Sequence, residues 1–142
     1  MKFKSFLLAV LVTAFLSSYM SRDIELKEGS NAPEIERVAG ENITPGDGKE
    51  KLISFWSPKD PASRMANMEY SKKYSDSDVE FISVCLDSDN LLGEEVLKYD
   101  GIKGTHLAYS DVKERVFKDY GVTDQTAAFK ISGNGKVEKV MK

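Results

Sequence analysis

Thiols and imidazoles are nearly absent from this sequence: it has one cysteine, Cys85, and one histidine, His106. A single cysteine cannot close an intramolecular disulfide, form a Cys-x-x-Cys redox pair or build a cysteine-rich zinc site. A single histidine leaves histidine-based metal sites equally unsupported. No basic block and no glycine-rich phosphate loop is present, so nucleic acids and nucleotides are poor candidates as partners. Long apolar runs are missing too. The longest, residues 6–16, is well short of the roughly 20 residues that span a bilayer.

What remains is ordinary for a soluble globular chain. Its 142 residues suffice for one domain with a modest core, 41% are hydrophobic and 30% charged, and the net charge is −3 with both signs interspersed. The apolar run follows Lys2 and Lys4 and ends at Ser17-Ser18, the pattern of a secretory leader. The reading is therefore a signal peptide over 1–18, a polar tether over 19–28 and a folded domain over 29–142, exported to the periplasm or envelope. A membrane is met only if the leader stays uncleaved. Leu16-Ser17-Ser18-Tyr19 resembles a lipoprotein signal with Tyr19 at the lipidated cysteine, and a tyrosine cannot form that thioether.

The domain is organised around residues 51–64. Residues 52–56 (Leu-Ile-Ser-Phe-Trp) read as a buried strand, a Pro- and Ser-containing turn follows, and a helix opens at 61. Asp60 suits the N-cap, where its carboxylate accepts from free amides, and Pro61 suits the first helical position, where a missing N–H costs nothing. Ala62, Met65, Ala66, Met68, Tyr70 and Tyr74 supply an expected inward stripe for a helix over 61–75.

Further along, residues 79–86 are nearly continuously apolar, as a two-sided parallel strand is. A helix is expected over 91–99 with Asp89 or Asn90 as its cap, a short strand over 106–109, and a helix over 112–120 closed by Gly121. Residues 126–131 and 136–140 flank Gly133-Asn134-Gly135 as a hairpin. Residues 34–38 and 43–44 read as an edge strand and its partner.

Residues 55–64 (Phe-Trp-Ser-Pro-Lys-Asp-Pro-Ala-Ser-Arg) resemble the Phe-Trp-Ala-x-Trp-Cys-x-x-Cys-Arg hallmark of thioredoxin-like envelope proteins. These are thiol–disulfide oxidoreductases related to the cytochrome-c maturation factors. Phe55, Trp56 and Arg64 match, while Asp60 and Ser63 stand where the cysteines would be. Gly29, Ala32 and Pro33 match the Gly-x-x-Ala-Pro that opens such domains, and Gly48-Lys49 precedes the central strand as it does in them. Residues 121–129 follow Gly-Val-x-Gly-x-Pro-x-x-Phe, with Thr126 replacing the cis-proline beside the disulfide. The resemblance implies an α/β fold: a central mixed sheet, helices on both faces and a C-terminal hairpin. It also implies a final helix, and no segment for one follows Lys142 here.

Neither Asp nor Ser forms a sulfur–sulfur bond, so two parts of the redox site are replaced together. A trans peptide is expected at Thr126, because a non-proline cis bond costs about 2.5–4 kcal/mol. Helix capping accounts for both Asp60 and Ser63, whereas catalysis by Ser63 needs a base that no nearby residue supplies. The sharing of this fold by peroxiredoxins does not help, since no cysteine precedes residue 85. Cys85 lies in the most apolar strand, where a thiol behaves as a small hydrophobe. Asp76/Asp78 and Asp87/Asp89 lack a calcium-loop spacing.

The expected function is non-catalytic protein or peptide binding, or self-association, with no cofactor and no metal. Trp56, Pro58, Asp60, Ser63 and Thr126 are the expected binding positions. Single-thiol redox work through Cys85 is the alternative. Apolar strands with no final helix to cover them point to association through a face near the 129–140 hairpin.

Overall fold

The computed structural model describes residues 25–142; the leader and most of the tether read from the sequence lie outside them. The centre of the fold is β1 (Lys51–Trp56), all six residues of which are buried. Five strands form one mixed sheet in the order β3-β2-β1-β4-β5. β2 (Glu80–Cys85) runs parallel to β1, β3 (Thr105–Leu107) parallel to β2, and β4 (Ala127–Ile131) antiparallel to β1. β5 (Val137–Met141) returns antiparallel to β4.

Strand alternation assigns the two faces. Ile53, Phe55, Ile82, Val84, Phe129 and Ile131 point to one side, where α3 (Arg115–Asp119) adds Val116 and Phe117. Tyr120 closes this core, its ring 4.9 Å from that of Phe55, while its hydroxyl donates to Pro33 O. α1 (Pro61–Tyr74) covers Leu52, Ser54 and Trp56 on the opposite face. α2 (Asn90–Asp100) lies on that same face over Cys85, since a Cβ on Gly93 would stand 3.1 Å from Cys85 Sγ. Both helices are tied by Arg64 and Asp100, which meet through Nε–Oδ2 and Nη2–Oδ1 contacts of 3.0 and 2.8 Å.

The face of α1 differs from the expected stripe. Ser63, Asn67 and Ser71 are its buried residues, whereas Met65 and Met68 are 61% and 38% exposed. Three polar side chains at i, i+4 and i+8 face inward, and each has a hydrogen-bond partner, that of Asn67 in the sheet and those of the two serines in flanking loops. Ser54 Oγ donates to Asn67 Oδ1 at 2.6 Å, Lys103 N donates to Ser71 Oγ at 2.8 Å, and Ser63 closes the preceding turn.

The expected edge strand over 34–38 reduces to bridges. Ile35 exchanges two backbone hydrogen bonds with Ile43, and Lys113 N donates to Glu36 O. That second pairing holds Val112 extended, so the helix expected from 112 begins only at Arg115, after a 3-10 turn over Tyr109–Asp111. Residues 25–32 run antiparallel along the outer edge of β5: Gly29 N donates to Val137 O, Val137 N to Ser30 O, and Glu25 pairs with Lys142. Leu26 packs on the core, so contact with the domain starts ahead of Gly29.

The hairpin does not carry the apolar patch expected of it. Phe129, Ile131 and Val137 are buried in the core. The other face of β4 holds only Ala128 and Lys130, and the lysine ammonium pairs with Glu50 and Glu138 at 3.5 and 3.4 Å. Among the described residues the large exposed hydrophobics are Val38, Met65, Met68, Leu91 and Tyr99, all elsewhere.

Candidate functional site

The carboxyl ends of β1 and β2, the start of α1 and the loop before β4 meet at one surface. Asp60 sits there in extended conformation as the N-cap of α1, with Pro61 next, because an extended cap turns its side chain back over the first free amides. Its Oδ2 accepts from Ser63 N at 3.3 Å and from Thr126 Oγ1 at 3.2 Å. Three positions singled out in the sequence are thereby joined, across 66 residues, at a single carboxylate oxygen. Peptide bonds among the described residues are all trans, Thr126 included.

Ser63 is 8% exposed and fully occupied. Its hydroxyl accepts from Ser57 N at 3.2 Å and donates toward Ser57 O and Asp60 O. A hydroxyl whose proton is shared between carbonyls has no base to activate it. Trp56 and Pro58, the other two positions expected to bind, are buried, so they support the surface from within and offer no face to a partner. Among the described residues the Trp56 indole N–H has no hydrogen-bond partner, and neither has the Asn67 amide nitrogen.

His106 is equally engaged, elsewhere in the fold. Its Nε2 faces Ile102 O at 3.0 Å and so carries the proton, and its Nδ1 therefore accepts from Ser83 Oγ at 2.6 Å. Cys85 is 3% exposed beneath Gly93, and its thiol donates weakly to Asp87 O at 3.7 Å. Burial pushes the thiol above its ordinary pKa, so it has the opposite of a reactive cysteine's environment. Asp87 itself ionises more readily than usual, because Asp89 N donates to it and Lys59 pairs with it at 3.3 Å. No cluster of three candidate metal ligands occurs among the described residues.

Two depressions flank Asp60. One, about 470 Å³ and shallow, is lined by Ser57, Asp60, Leu86 and residues 123–126. The second, about 120 Å³, lies between α1 and the hairpin, with Ser54, Ala66, Tyr70, Ala128 and Met141 around it. Sequence reasoning reached Asp60, Ser63 and Thr126 but not Ser54, Asn67 or Tyr70. The signal available for them was weak: an Asn seated between two Ser at four-residue spacing.

Neither a family model nor a curated protein matches the sequence. Solved structures do. A thioredoxin-like protein from Parabacteroides distasonis superposes with a TM-score of 0.69 at 22% identity, over 83% of this chain and 89% of that one. The fold is thioredoxin-like. A putative thiol:disulfide interchange protein DsbE from Chlorobium tepidum gives 0.67 at 21% identity, covering 82% and 86% of the two chains. A secreted Mycobacterium tuberculosis disulfide oxidoreductase gives 0.61 at 17%, covering 78% and 82%. The structural neighbours of this thioredoxin-like domain are thus thiol–disulfide oxidoreductases. Likeness at such identities establishes architecture; chemistry has to be argued from the side chains present.

Proposed function

We propose that this chain is an exported, redox-inactive thioredoxin-like domain that binds a protein or peptide in the bacterial envelope. The observation that carries the reading is the Asp60–Thr126 hydrogen bond of 3.2 Å. A carboxylate and a hydroxyl occupy, and satisfy each other at, the positions where the resemblance puts a thiol and a proline. The surface built on that pair, with Ser57 and residues 123–126, is the binding face. Its donors and acceptors are suited to backbone and polar side chains of a peptide. Export is supported by the leader pattern at the start of the sequence.

Two measurements test the proposal. Insulin disulfide reduction by the protein stays at background, and turnover that survives Cys85→Ser would overturn the assignment of the motif positions. A photocrosslinking residue at the exposed position Gln125 yields a discrete protein adduct in envelope-containing cells, while the same residue at Glu41 does not. Absence of any adduct at Gln125 would refute the binding face. Single-thiol chemistry through Cys85 is disfavoured by the thiol's burial and its raised pKa.

A further inference from the structure

We propose that the sheet edge at His106 pairs with an extended segment of a partner protein and takes a lysine or arginine side chain of that segment into the pocket between α2 and β3. The inference does not rest on the Asp60 face; it adds a second surface. Backbone parity locates the opening. Glu80 N donates to Glu50 O and Leu86 N to Trp56 O, so even-numbered residues of β2 turn their backbone groups to β1. The odd-numbered ones face β3, where Ser83 stands in register with His106. In a parallel ladder such a residue bonds the two neighbours of the one opposite. Ser83 therefore serves Thr105 and Leu107, and the N–H and C=O of His106 point away from the sheet. Neither group takes a backbone partner among the described residues.

The next outward position is closed: Ala108 N donates to Asp111 Oδ2 at 2.8 Å, and Ala108 O accepts from Asp111 N at 3.0 Å. His106 is thus the residue of β3 with both backbone groups to offer, and an unpaired edge of this kind accepts an added strand. At the far edge the chain makes the same type of pairing with itself, Gly29 N donating to Val137 O and Val137 N to Ser30 O.

Side-chain direction supplies the specificity. A partner residue opposite His106 sends its side chain to the face that carries the imidazole. That is the face of α1 and α2, because the imidazole meets Ser83 Oγ there. A pocket of about 220 Å³ opens on it between α2 and β3, and Gly93, Leu97, Leu107 and Ala108 give it apolar walls for an aliphatic stem. The donors in its lining are spent, the Cys85 thiol on Asp87 O and the His106 Nε2–H on Ile102 O. Acceptors remain. Asn90 donates through Nδ2 to Ser110 and keeps Oδ1, Asp111 keeps Oδ1, and Glu94 gives one oxygen to the exposed Lys98 and keeps the other. No lysine or arginine among the described residues lines this pocket. An ammonium or guanidinium head brings the donors and the charge that such a lining lacks. A carboxylate would face Glu94 and Asp111. A second copy, paired symmetrically, would place its own His106 opposite, and that ring is held by Ser83 and Ile102.

The test is nuclear magnetic resonance titration of the isotope-labelled full chain with capped peptides Thr-Val-X-Val-Thr. X is lysine, glutamate, or lysine methylated on its backbone nitrogen. The lysine peptide is expected to shift the His106 amide and amides of residues 90–97 and 105–111, and the glutamate peptide to leave them in place. Backbone methylation, which removes the donor to His106 O, should weaken binding about tenfold. Glu94→Gln with Asp111→Asn keeps the side-chain shapes and should weaken the lysine peptide by about tenfold as well, with urea midpoints verifying the fold. Butylamine, an ammonium head without a strand, should bind more weakly than the lysine peptide. No binding of the lysine peptide, or equal binding of lysine and glutamate peptides, would overturn the inference. Unchanged affinity after backbone methylation, or butylamine binding as tightly as the peptide, would overturn the pairing at the edge. Unchanged affinity in the folded double variant would overturn the pocket. Concentration-dependent shifts of the His106 amide without peptide would overturn the inference in favour of a second copy. Shifts confined to residues 57–60 and 123–126 would overturn it and leave the Asp60 face standing.

Discussion

Asp60→Ala removes two hydrogen bonds at once, and their separate costs are readable from the geometry. Loss of an N-cap carboxylate costs about 0.5–2 kcal/mol. The Ser63 N–H bond here, at 3.3 Å, exceeds the usual length of about 2.9–3.0 Å, which places its share near 1 kcal/mol. The Thr126 hydroxyl bond is also long at 3.2 Å and only partly buried, so about 0.5–1 kcal/mol is assigned to it, below the range for well-formed bonds to charged groups. Together the loss is about 1.5–2 kcal/mol. For a domain of this size each kcal/mol is worth roughly 4 °C, so the melting temperature should fall by about 6–8 °C. Thr126→Val isolates the second bond, and the double variant should be no worse than Asp60→Ala alone by more than about 0.5 kcal/mol. Asp60→Asn retains a capping oxygen and should cost little. Urea and thermal denaturation of the four variants supply these numbers. Full additivity of Asp60→Ala and Thr126→Val, or an unchanged midpoint in Asp60→Ala, would refute the shared-oxygen arrangement.

Three other perturbations follow from the same structure. Cys85 should react with a maleimide at least about a hundredfold more slowly in the native protein than in urea, given its burial; comparable rates would revive a thiol-based function. Asn67→Ala strands the Ser54 hydroxyl and should cost about 1–3 kcal/mol, while Ser54→Ala with Asn67→Ala together should cost less than the sum of the two; strict additivity would mean that the 2.6 Å bond contributes nothing. Burial raises the pKa of Cys85, Tyr70 and Tyr120. The folded state therefore holds these protons more tightly, and the associated stability is complete below their unfolded values of about 8.5–10 and declines as pH rises beyond them. A urea midpoint that is flat to about pH 8.5 and falls above it is expected, with Tyr120→Phe reducing the fall; a midpoint level to pH 10.5 would contradict the burial argument.

Much of the fold was legible because its central elements obey simple periodicities. β1 and β2 read as continuous apolar runs and are buried on both faces, and Asp60, Pro61 and Asp89 are cap residues placed where caps form. Legibility failed where the decisive interaction was not hydrophobic. Met65 and Met68 looked like core because they recur at helical spacing, yet the sheet beneath α1 presents Ser54, and a hydroxyl there recruits Asn67 rather than a methionine. The region around Val112 looked helical because a long-range pairing with residues 36–38 leaves no local mark.

The hairpin makes the point most sharply. Its sequence reads as apolar on both faces only if Ala128 and Lys130 are counted with their neighbours, and Lys130 is the residue that turns an expected apolar face into a charged one. Its stem lies over the sheet while its ammonium meets Glu50 and Glu138, so the aliphatic part buries surface and the head stays solvated. The apolar patch expected on this face is therefore replaced by an ion-paired lysine. The site at Asp60 follows the same logic. A carboxylate at the start of α1 occupies the favourable end of the helix dipole that the resemblance assigns to a thiolate, and it is held there by Ser63 and Thr126. The two hydrogen bonds at Asp60 Oδ2 join the start of α1 to the loop before β4, and the proposed binding face rests on that junction.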